Sequence, residues 1–153
     1  MKKEIITTLN APAPIGPYNQ AVKVGNTLYI SGQIPLIPTS MELLIGTIKE
    51  ETQLVMDHLQ AILEAAGMTF GHVVKSTIFL DDMNNFGEVN QIYGAFFDNK
   101  TAPSRETVAV KTLPKSVKKS KMQAADYCSN LSNTKNPQVR EEYFKICMKE
   151  EGY

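Results

Sequence analysis

The chain has 153 residues, 42% of them hydrophobic, and its 16 lysines and arginines balance 16 aspartates and glutamates. This length favours one globular domain, and the zero net charge argues against a dedicated nucleic-acid binder, which needs a basic surface to neutralise phosphates. The sequence has no run near the roughly 18 apolar residues of a membrane span and no signal-peptide pattern, so we expect a cytoplasmic protein that does not bind membranes.

The zero charge is a sum over two parts of different character. Residues 1–117 carry 9 Lys+Arg and 11 Asp+Glu, whereas residues 118–153 carry 7 and 5 and are poorer in apolar side chains. We therefore expect a domain over residues 1–126, well patterned as far as residue 117, and a divergent extension over residues 127–153. Within the extension, residues 137–148 have the spacing of a short amphipathic helix.

The remaining pattern predicts the elements in chain order: a strand over 4–8, hairpin strands over 20–24 and 27–31, a helix over 48–66, a strand over 73–80, a helix over 86–97 and a strand over 107–111. The hairpin rests on Gly25-Asn26, a two-residue turn signal. The first helix rests on Thr47 and Glu50, which have the spacing of a capping box, and Asn85 is the predicted cap of the second.

This order of elements favours an α+β fold in which two helices pack on one face of a single mixed β-sheet. A sheet covered on one face leaves the other face to be buried. If that face is apolar, assembly into a homo-oligomer buries it most simply.

Two residues in rigid surroundings are candidates for a binding site. Arg105 follows Pro103-Ser104 at the start of a strand, where its guanidinium could grip a carboxylate with two hydrogen bonds, although a surface arginine is the ordinary alternative. Tyr18 follows Gly16-Pro17 and could line a pocket, although a tyrosine there could equally pack in the structure.

Asn90 and the Ser31-Gly32 pair are further candidates. Asn90 flanks the apolar stripe of the second helix, so its amide either bonds a neighbouring loop or lines a cleft or subunit seam. Gly32 would let a ligand approach the backbone closely, but a simple turn also explains it.

The residue types of familiar covalent and metal catalysis do not cluster in this sequence. It has no Ser/His/Asp or Cys/His arrangement, and its only histidines are His58 and His72. Cys128 and Cys147 lack the spacing of metal ligands and are interpreted as free thiols. We therefore expect no metal site.

Six short motifs in order along the chain carry a resemblance to a known family, and they end at Leu113-Pro114-Lys115. They are Ile15-Gly16-Pro17-Tyr18-Asn19-Gln20-Ala21, Ile30-Ser31-Gly32-Gln33-Ile34-Pro35, Glu64-Ala65-Ala66-Gly67, Val74-Lys75-Ser76-Thr77, Val89-Asn90-Gln91-Ile92-Tyr93 and Pro103-Ser104-Arg105-Glu106-Thr107-Val108. From about residue 4 to residue 117 the chain resembles the RidA (YjgF-type) family of reactive-intermediate deaminases.

The resemblance implies a chorismate-mutase-like α+β fold that assembles as a homotrimer with one pocket at each subunit interface. It also implies hydrolysis of reactive enamines and imines of the 2-aminoacrylate type to 2-keto acids and ammonia, without a cofactor or metal. Arg105 would bind the carboxylate of the imine or keto acid. The pocket would be shaped by Tyr18, Ser31, Gly32 and Asn90.

The resemblance ends after Val117. The family continues as an alternating strand whose glutamate positions the hydrolytic water, whereas this chain has lysines at the inward positions and Ser120 in place of that glutamate. Two other functions therefore stay open. One is a non-catalytic trimeric module that binds small carboxylates or partner proteins. The other, with less support, is the endoribonuclease or translation-inhibitor activity attributed to some relatives.

We hypothesise that the lysine-rich junction marks a change of reading frame, because adenine-rich codons are slippery and the resemblance ends abruptly there. We expect a shifted frame of the coding DNA to encode an Ile-Glu-Ile-Glu strand across the junction. Sequencing that finds no such strand in either shifted frame would contradict the hypothesis. It would leave genuine divergence, with a new terminal helix, as the explanation.

Overall fold

The computed structural model describes residues 2–114. In this range the strands and α-helices are β1 (Lys3–Ile6), β2 (Ala21–Val24), β3 (Thr27–Ile30), α1 (Ile48–Ala65), β4 (Lys75–Leu80), α2 (Phe86–Gly94) and β5 (Ser104–Ala109). The predicted helix over 137–148, the boundary near residue 126 and Ser120 lie outside the described residues. The α+β class is confirmed.

The strands of the described range form two small sheets, and the single mixed sheet stays a prediction because its final strand lies beyond residue 114. β1, β2 and β3 pair antiparallel in that order, and β4 pairs parallel with β5. Within residues 2–114 no strand bridges β3 and β4, and hydrogen bonding between strands is what makes a sheet continuous. The strand that the resemblance implies after residue 117 lies outside this range.

Local signals placed the hairpin and the first helix correctly. Val24 pairs with Thr27 across the two-residue turn, and Gly25 has φ +59°, a backbone conformation that glycine adopts easily. At the start of α1, the Glu50 N–H donates to the Thr47 hydroxyl and the Glu50 carboxylate accepts from the Thr47 N–H. The predicted capping box is therefore confirmed.

The predicted cap of the second helix is wrong. Asn85 has helical backbone angles and its side chain makes no capping hydrogen bond. The Asp82 carboxylate accepts from the Asn84 N–H at 2.9 Å and starts a 3-10 turn over Met83–Asn85, which leads directly into α2. Because this turn provides the first hydrogen-bonded residues, the helix needs no cap at Asn85.

Each helix covers one of the two sheets. The buried side chains of Ile62 on α1 and of Ala66, which directly follows the helix, pack with Ile6 and Ala21 of the first sheet. The Tyr93 hydroxyl on α2 lies 2.7 Å from the hydroxyl of Ser76 on β4. The two helices also contact each other, so the helical side of the described fold is continuous.

The outward-facing strand residues leave apolar side chains exposed. On β3, Leu28 and Ile30 pack towards the core while Tyr29 between them is 65% exposed. On the second sheet, Phe79 pairs with Val108, and both are exposed. Alternation along a strand puts these residues opposite the helices, which is the apolar face that an oligomer would bury.

The side chain of Gln20 ties the proline-rich segment before β2 to the body of the fold. Gln20 is 2% exposed. Its side-chain oxygen Oε1 accepts from the Thr8 N–H at 2.7 Å. Its side-chain nitrogen Nε2 donates to the backbone carbonyl oxygens of Thr8, Ala11 and Pro12 at 2.9 to 3.0 Å. Prolines in this segment leave few backbone donors for a ladder, so a side-chain amide holds it instead.

Replacing Gln20 by alanine should lower the free energy of unfolding by about 2–4 kcal/mol, because buried backbone groups lose their partner. Denaturant unfolding measures the change. Gln60→Ala is the matched control, since the Gln60 amide donates only to the exposed Glu64 carboxylate, and it should cost less than about 0.5 kcal/mol. Equal losses for the two variants would contradict a special role for Gln20.

A second buried polar side chain, His58, lies on α1. It is 1% exposed, and neither ring nitrogen has a hydrogen-bond partner among the described residues. Burial lowers its pKa from 6.5 to about 4, and the neighbouring Asp57 carboxylate and the Ile34 backbone oppose that shift only in part. The folded protein therefore keeps this imidazole neutral at pH 7.

His58 should make the folded state sensitive to mild acid. The unfolded chain takes up the proton near pH 6.5 and the folded chain only near pH 4, so stability falls as the pH is lowered between these values. We expect His58 to contribute about 2 kcal/mol of this loss between pH 7 and pH 5. Denaturant unfolding of His58→Leu at both pH values should show a smaller loss than the parent chain; an equal loss would refute the assignment.

Candidate active site

The guanidinium of Arg105 lies over aromatic rings on the helical side of the second sheet. Arg105 is the second residue of β5 and pairs with Ser76 on β4. Its Cζ atom is 4.8 Å from the ring centroid of Tyr93 and 5.7 Å from that of Phe86. No carboxylate within residues 2–114 forms an ion pair with it. A guanidinium held this way keeps its in-plane N–H groups for an anion.

The two aromatic contacts of Arg105 were missed as site residues by the sequence interpretation. In the sequence, Phe86 and Tyr93 look like ordinary members of the apolar stripe of the second helix. They are seven residues apart, so they lie on one face of α2 about two turns from each other. Two aromatic residues seven apart on a helix, followed by a strand that carries an arginine, were the sequence signal that could have identified these contacts.

Asn90 lies on the same face of α2 as these two rings, because it follows Phe86 by four residues and precedes Tyr93 by three. Its side chain is exposed and makes no hydrogen bond to any residue in the range 2–114. The alternative of a bond to a neighbouring loop therefore has no support in the described fold. Asn90 is free to meet a ligand or a second subunit.

Thr107 is another residue that the sequence interpretation missed. It follows Arg105 by two positions on β5 and so lies on the same side of the strand. Its hydroxyl is buried and, among the described residues, has no hydrogen-bond partner. Arg105 and Thr107 are polar residues at alternate positions of one strand, and this pattern could have identified Thr107 from the sequence.

Tyr18 and Ser31 belong to a second cluster at the end of the hairpin. The Ser31 hydroxyl donates to the Asn19 carbonyl at 2.6 Å, and the Ser31 N–H donates to the Gln20 carbonyl at 3.0 Å. The Tyr18 hydroxyl accepts from the Ile15 N–H at 3.3 Å, while the side chain is 48% exposed. Ser31 thus fixes the loop that presents Tyr18.

Gly32 lies next to this cluster without a steric reason for being glycine. Its φ is not in the positive range, and a Cβ atom added there would meet no atom within 4 Å. A demand for glycine at this position would come from a ligand or another molecule approaching the backbone. Gly32 is exposed, so such an approach is open.

The predicted residues therefore fall into two clusters. Arg105 and Asn90 belong to the second sheet and α2, and Tyr18, Ser31 and Gly32 belong to the end of the hairpin. No hydrogen bond in the described part of the chain joins the two clusters. Ser120 lies outside that part, so its relation to Arg105 stays a prediction. Residues 2–114 also contain no group of metal-ligating side chains and no helix able to cross a membrane.

The family model described as Endoribonuclease L-PSP matches residues 8–119. A RutC family protein of Pyrococcus horikoshii is 49% identical over 115 residues, which are 75% of this chain and 90% of that protein. The 2-iminobutanoate/2-iminopropanoate deaminase of Mus musculus is 47% identical over 113 residues, which are 74% of this chain and 83% of the mouse protein.

Solved structures agree with these relatives. RidA from the Antarctic bacterium Psychrobacter sp. has a TM-score of 0.69 at 42% identity, covering 74% of this chain and 90% of that one. This chain belongs to the RidA family. Another solved structure, E. coli TdcF with bound serine, has a TM-score of 0.68 at 40% identity, covering 75% of this chain and 91% of that one.

Proposed function

We propose that this RidA-family protein hydrolyses reactive 2-enamine and 2-imine acids to 2-keto acids and ammonia. The observation that carries the proposal is the guanidinium of Arg105, which lies over Tyr93 and Phe86 with no carboxylate partner among residues 2–114. A half-buried guanidinium that lies over aromatic rings keeps its in-plane N–H groups available, so it can bind a small anion. A 2-imino acid offers a carboxylate directly beside the reacting carbon.

The reaction needs little beyond orientation. The enamine takes up a proton at carbon and loses one from nitrogen to become the imine. Water adds across the imine C=N bond, and the resulting aminoalcohol expels ammonia to leave the keto acid. The imine carbon is bonded directly to the carboxylate carbon, so a carboxylate bound to Arg105 fixes its position. A water molecule can then approach one face of the C=N bond. No covalent enzyme intermediate is required.

Ser120 bears on the rate of this reaction. At the position where the resemblance puts a glutamate, a serine hydroxyl can hydrogen-bond a water but cannot take up its proton as a carboxylate does. We expect slower turnover than in a relative with the glutamate. Complete loss of turnover with intact ligand binding would instead identify the non-catalytic binding module.

The names of two relatives support the proposal. The mouse protein is a 2-iminobutanoate/2-iminopropanoate deaminase, and its similarity spans most of both chains. TdcF was solved with serine, a small molecule whose carboxylate lies next to an amine-bearing carbon. The 2-imino acids in the name of the mouse protein and the serine bound to TdcF all carry a carboxylate, the group that Arg105 is proposed to bind.

We also propose that the protein is a homotrimer in which neighbouring subunits complete each pocket. The two clusters of predicted site residues share no hydrogen bond within the described chain, so a second subunit offers a way to bring Arg105 opposite Tyr18. The exposed apolar side chains of Tyr29, Phe79 and Val108 give such an assembly a surface to bury.

Deamination can be tested by adding the purified protein to a threonine dehydratase reaction and following keto-acid release. The parent chain should accelerate release, and Arg105→Ala should lower kcat/KM roughly 30- to 1,000-fold because a charge-assisted pair is lost. Lys49→Ala removes an exposed cation on α1 and should leave the rate unchanged. If Arg105→Ala matches the parent chain, the carboxylate clamp is wrong.

The shared pocket predicts complementation between two variants. Arg105→Ala and Tyr18→Ala, each strongly impaired alone, are unfolded together and refolded as a mixture. Random trimers should then contain about a quarter of pockets with both native residues, and activity should reappear in proportion. Each variant refolded alone is the control. No recovery, or a monomer by light scattering, would contradict the shared pocket.

A further inference from the structure

The ring beneath Arg105 is itself fixed in place. Tyr93 is 8% exposed, and its hydroxyl lies 2.7 Å from the Ser76 hydroxyl. The same ring packs against Phe97 with centroids 4.6 Å apart. Its position is therefore determined by a hydrogen bond at one end and by aromatic packing along its side.

Ser76 and Arg105 occupy paired positions in the ladder between β4 and β5. Both side chains project towards α2, because alternation along a strand puts facing partners on the same side. Tyr93 therefore connects the other two side chains. Its hydroxyl forms a hydrogen bond with the Ser76 hydroxyl, and its ring centroid lies 4.8 Å from the Arg105 Cζ atom. Any shift of the ring changes the surface on which the guanidinium rests.

An aromatic ring holds a guanidinium differently from a carboxylate. The electron-rich face of the ring attracts the cation but accepts none of its in-plane N–H groups, so these stay available for a bidentate carboxylate. The ring also limits the rotamers of a long side chain before any ligand arrives. Less conformational freedom is then lost when the ligand binds.

We propose that Ser76 and Tyr93 are positioning residues for Arg105: the hydroxyl pair fixes the ring, and the ring orients the guanidinium towards the substrate carboxylate. The inference rests on the proposed function, because it assigns these residues to the same carboxylate site. Neither side chain needs to touch the substrate for this role. Phe86, at 5.7 Å from the Arg105 Cζ atom, adds a second and more distant aromatic contact.

Removing either hydroxyl should weaken carboxylate binding while the fold persists. Tyr93→Phe keeps the ring and Ser76→Ala keeps the strand, but each deletes the bond between them. We expect each to weaken 2-ketobutyrate binding, measured by calorimetry, roughly 3- to 10-fold. In the dehydratase-coupled assay KM should rise by a similar factor with kcat nearly unchanged. Thermal unfolding confirms that each variant is folded.

Three controls separate positioning from general damage. Ser76→Thr retains a hydroxyl and should restore most of the affinity. The double variant Ser76→Ala with Tyr93→Phe should be no weaker than either single variant, because both remove one shared bond. Thr52→Val deletes a hydroxyl that donates to the Ile48 carbonyl at 2.6 Å on α1, and it should leave 2-ketobutyrate affinity unchanged.

The outcomes distinguish this inference from the proposed function. If Arg105→Ala retains normal activity and binding, the carboxylate site itself is wrong. If Arg105→Ala is impaired but Tyr93→Phe and Ser76→Ala match the parent chain, the site stands and the positioning role is refuted. The role is also refuted if Ser76→Thr is as weak as Ser76→Ala, or if Tyr93→Phe reduces kcat/KM by the same factor in the Arg105→Ala background.

Discussion

The buried amide of Gln20 is the constraint on which the first half of the structure depends. It gathers the backbone of Thr8, Ala11 and Pro12 against the start of β2. The backbone carbonyl of the same residue accepts from the Ser31 N–H, and Ser31 in turn holds Asn19. One residue therefore links the proline-rich crossing, the Tyr18 loop and the end of the hairpin.

The second half of the structure separates two kinds of charge on one strand. Glu106 follows Arg105 directly, but alternation turns it to the opposite face, where it pairs with Lys75 and accepts from the Thr77 hydroxyl. The charge on that face is satisfied within the chain. Arg105 on the helical face meets aromatic rings instead. The contrast explains why an arginine beside a glutamate in sequence still has its N–H groups available for a ligand.

Local chemistry made part of this fold predictable. Gly25-Asn26 and the Thr47-Glu50 box each depend on a few neighbouring residues, so their structures follow from spacing alone. The cap of α2 was mispredicted because Asp82, three residues before Asn85, caps a 3-10 turn that leads into the helix. The pairing of the strands within residues 2–114 was also not predictable, because it depends on residues far apart in the chain. The family was recognisable from its ordered motifs.

The site was predictable only as a set of residue types. Arg105 was identified as a carboxylate clamp from its setting after Pro103-Ser104 and from the resemblance, and that role remains proposed. Its aromatic support was not foreseen, because Phe86 and Tyr93 look like ordinary apolar residues of a helix until the strand opposite them is known.

Every part of the support for Arg105 comes from one continuous stretch of chain, residues 75–109, in which a strand, a helix and a parallel strand follow each other. Contacts such as that between the hydroxyls of Ser76 and Tyr93 need no second subunit. The anion-binding half of the site can therefore be assembled within a newly folded subunit. In the proposed trimer, the proposed activity would then depend on subunit association and therefore on protein concentration.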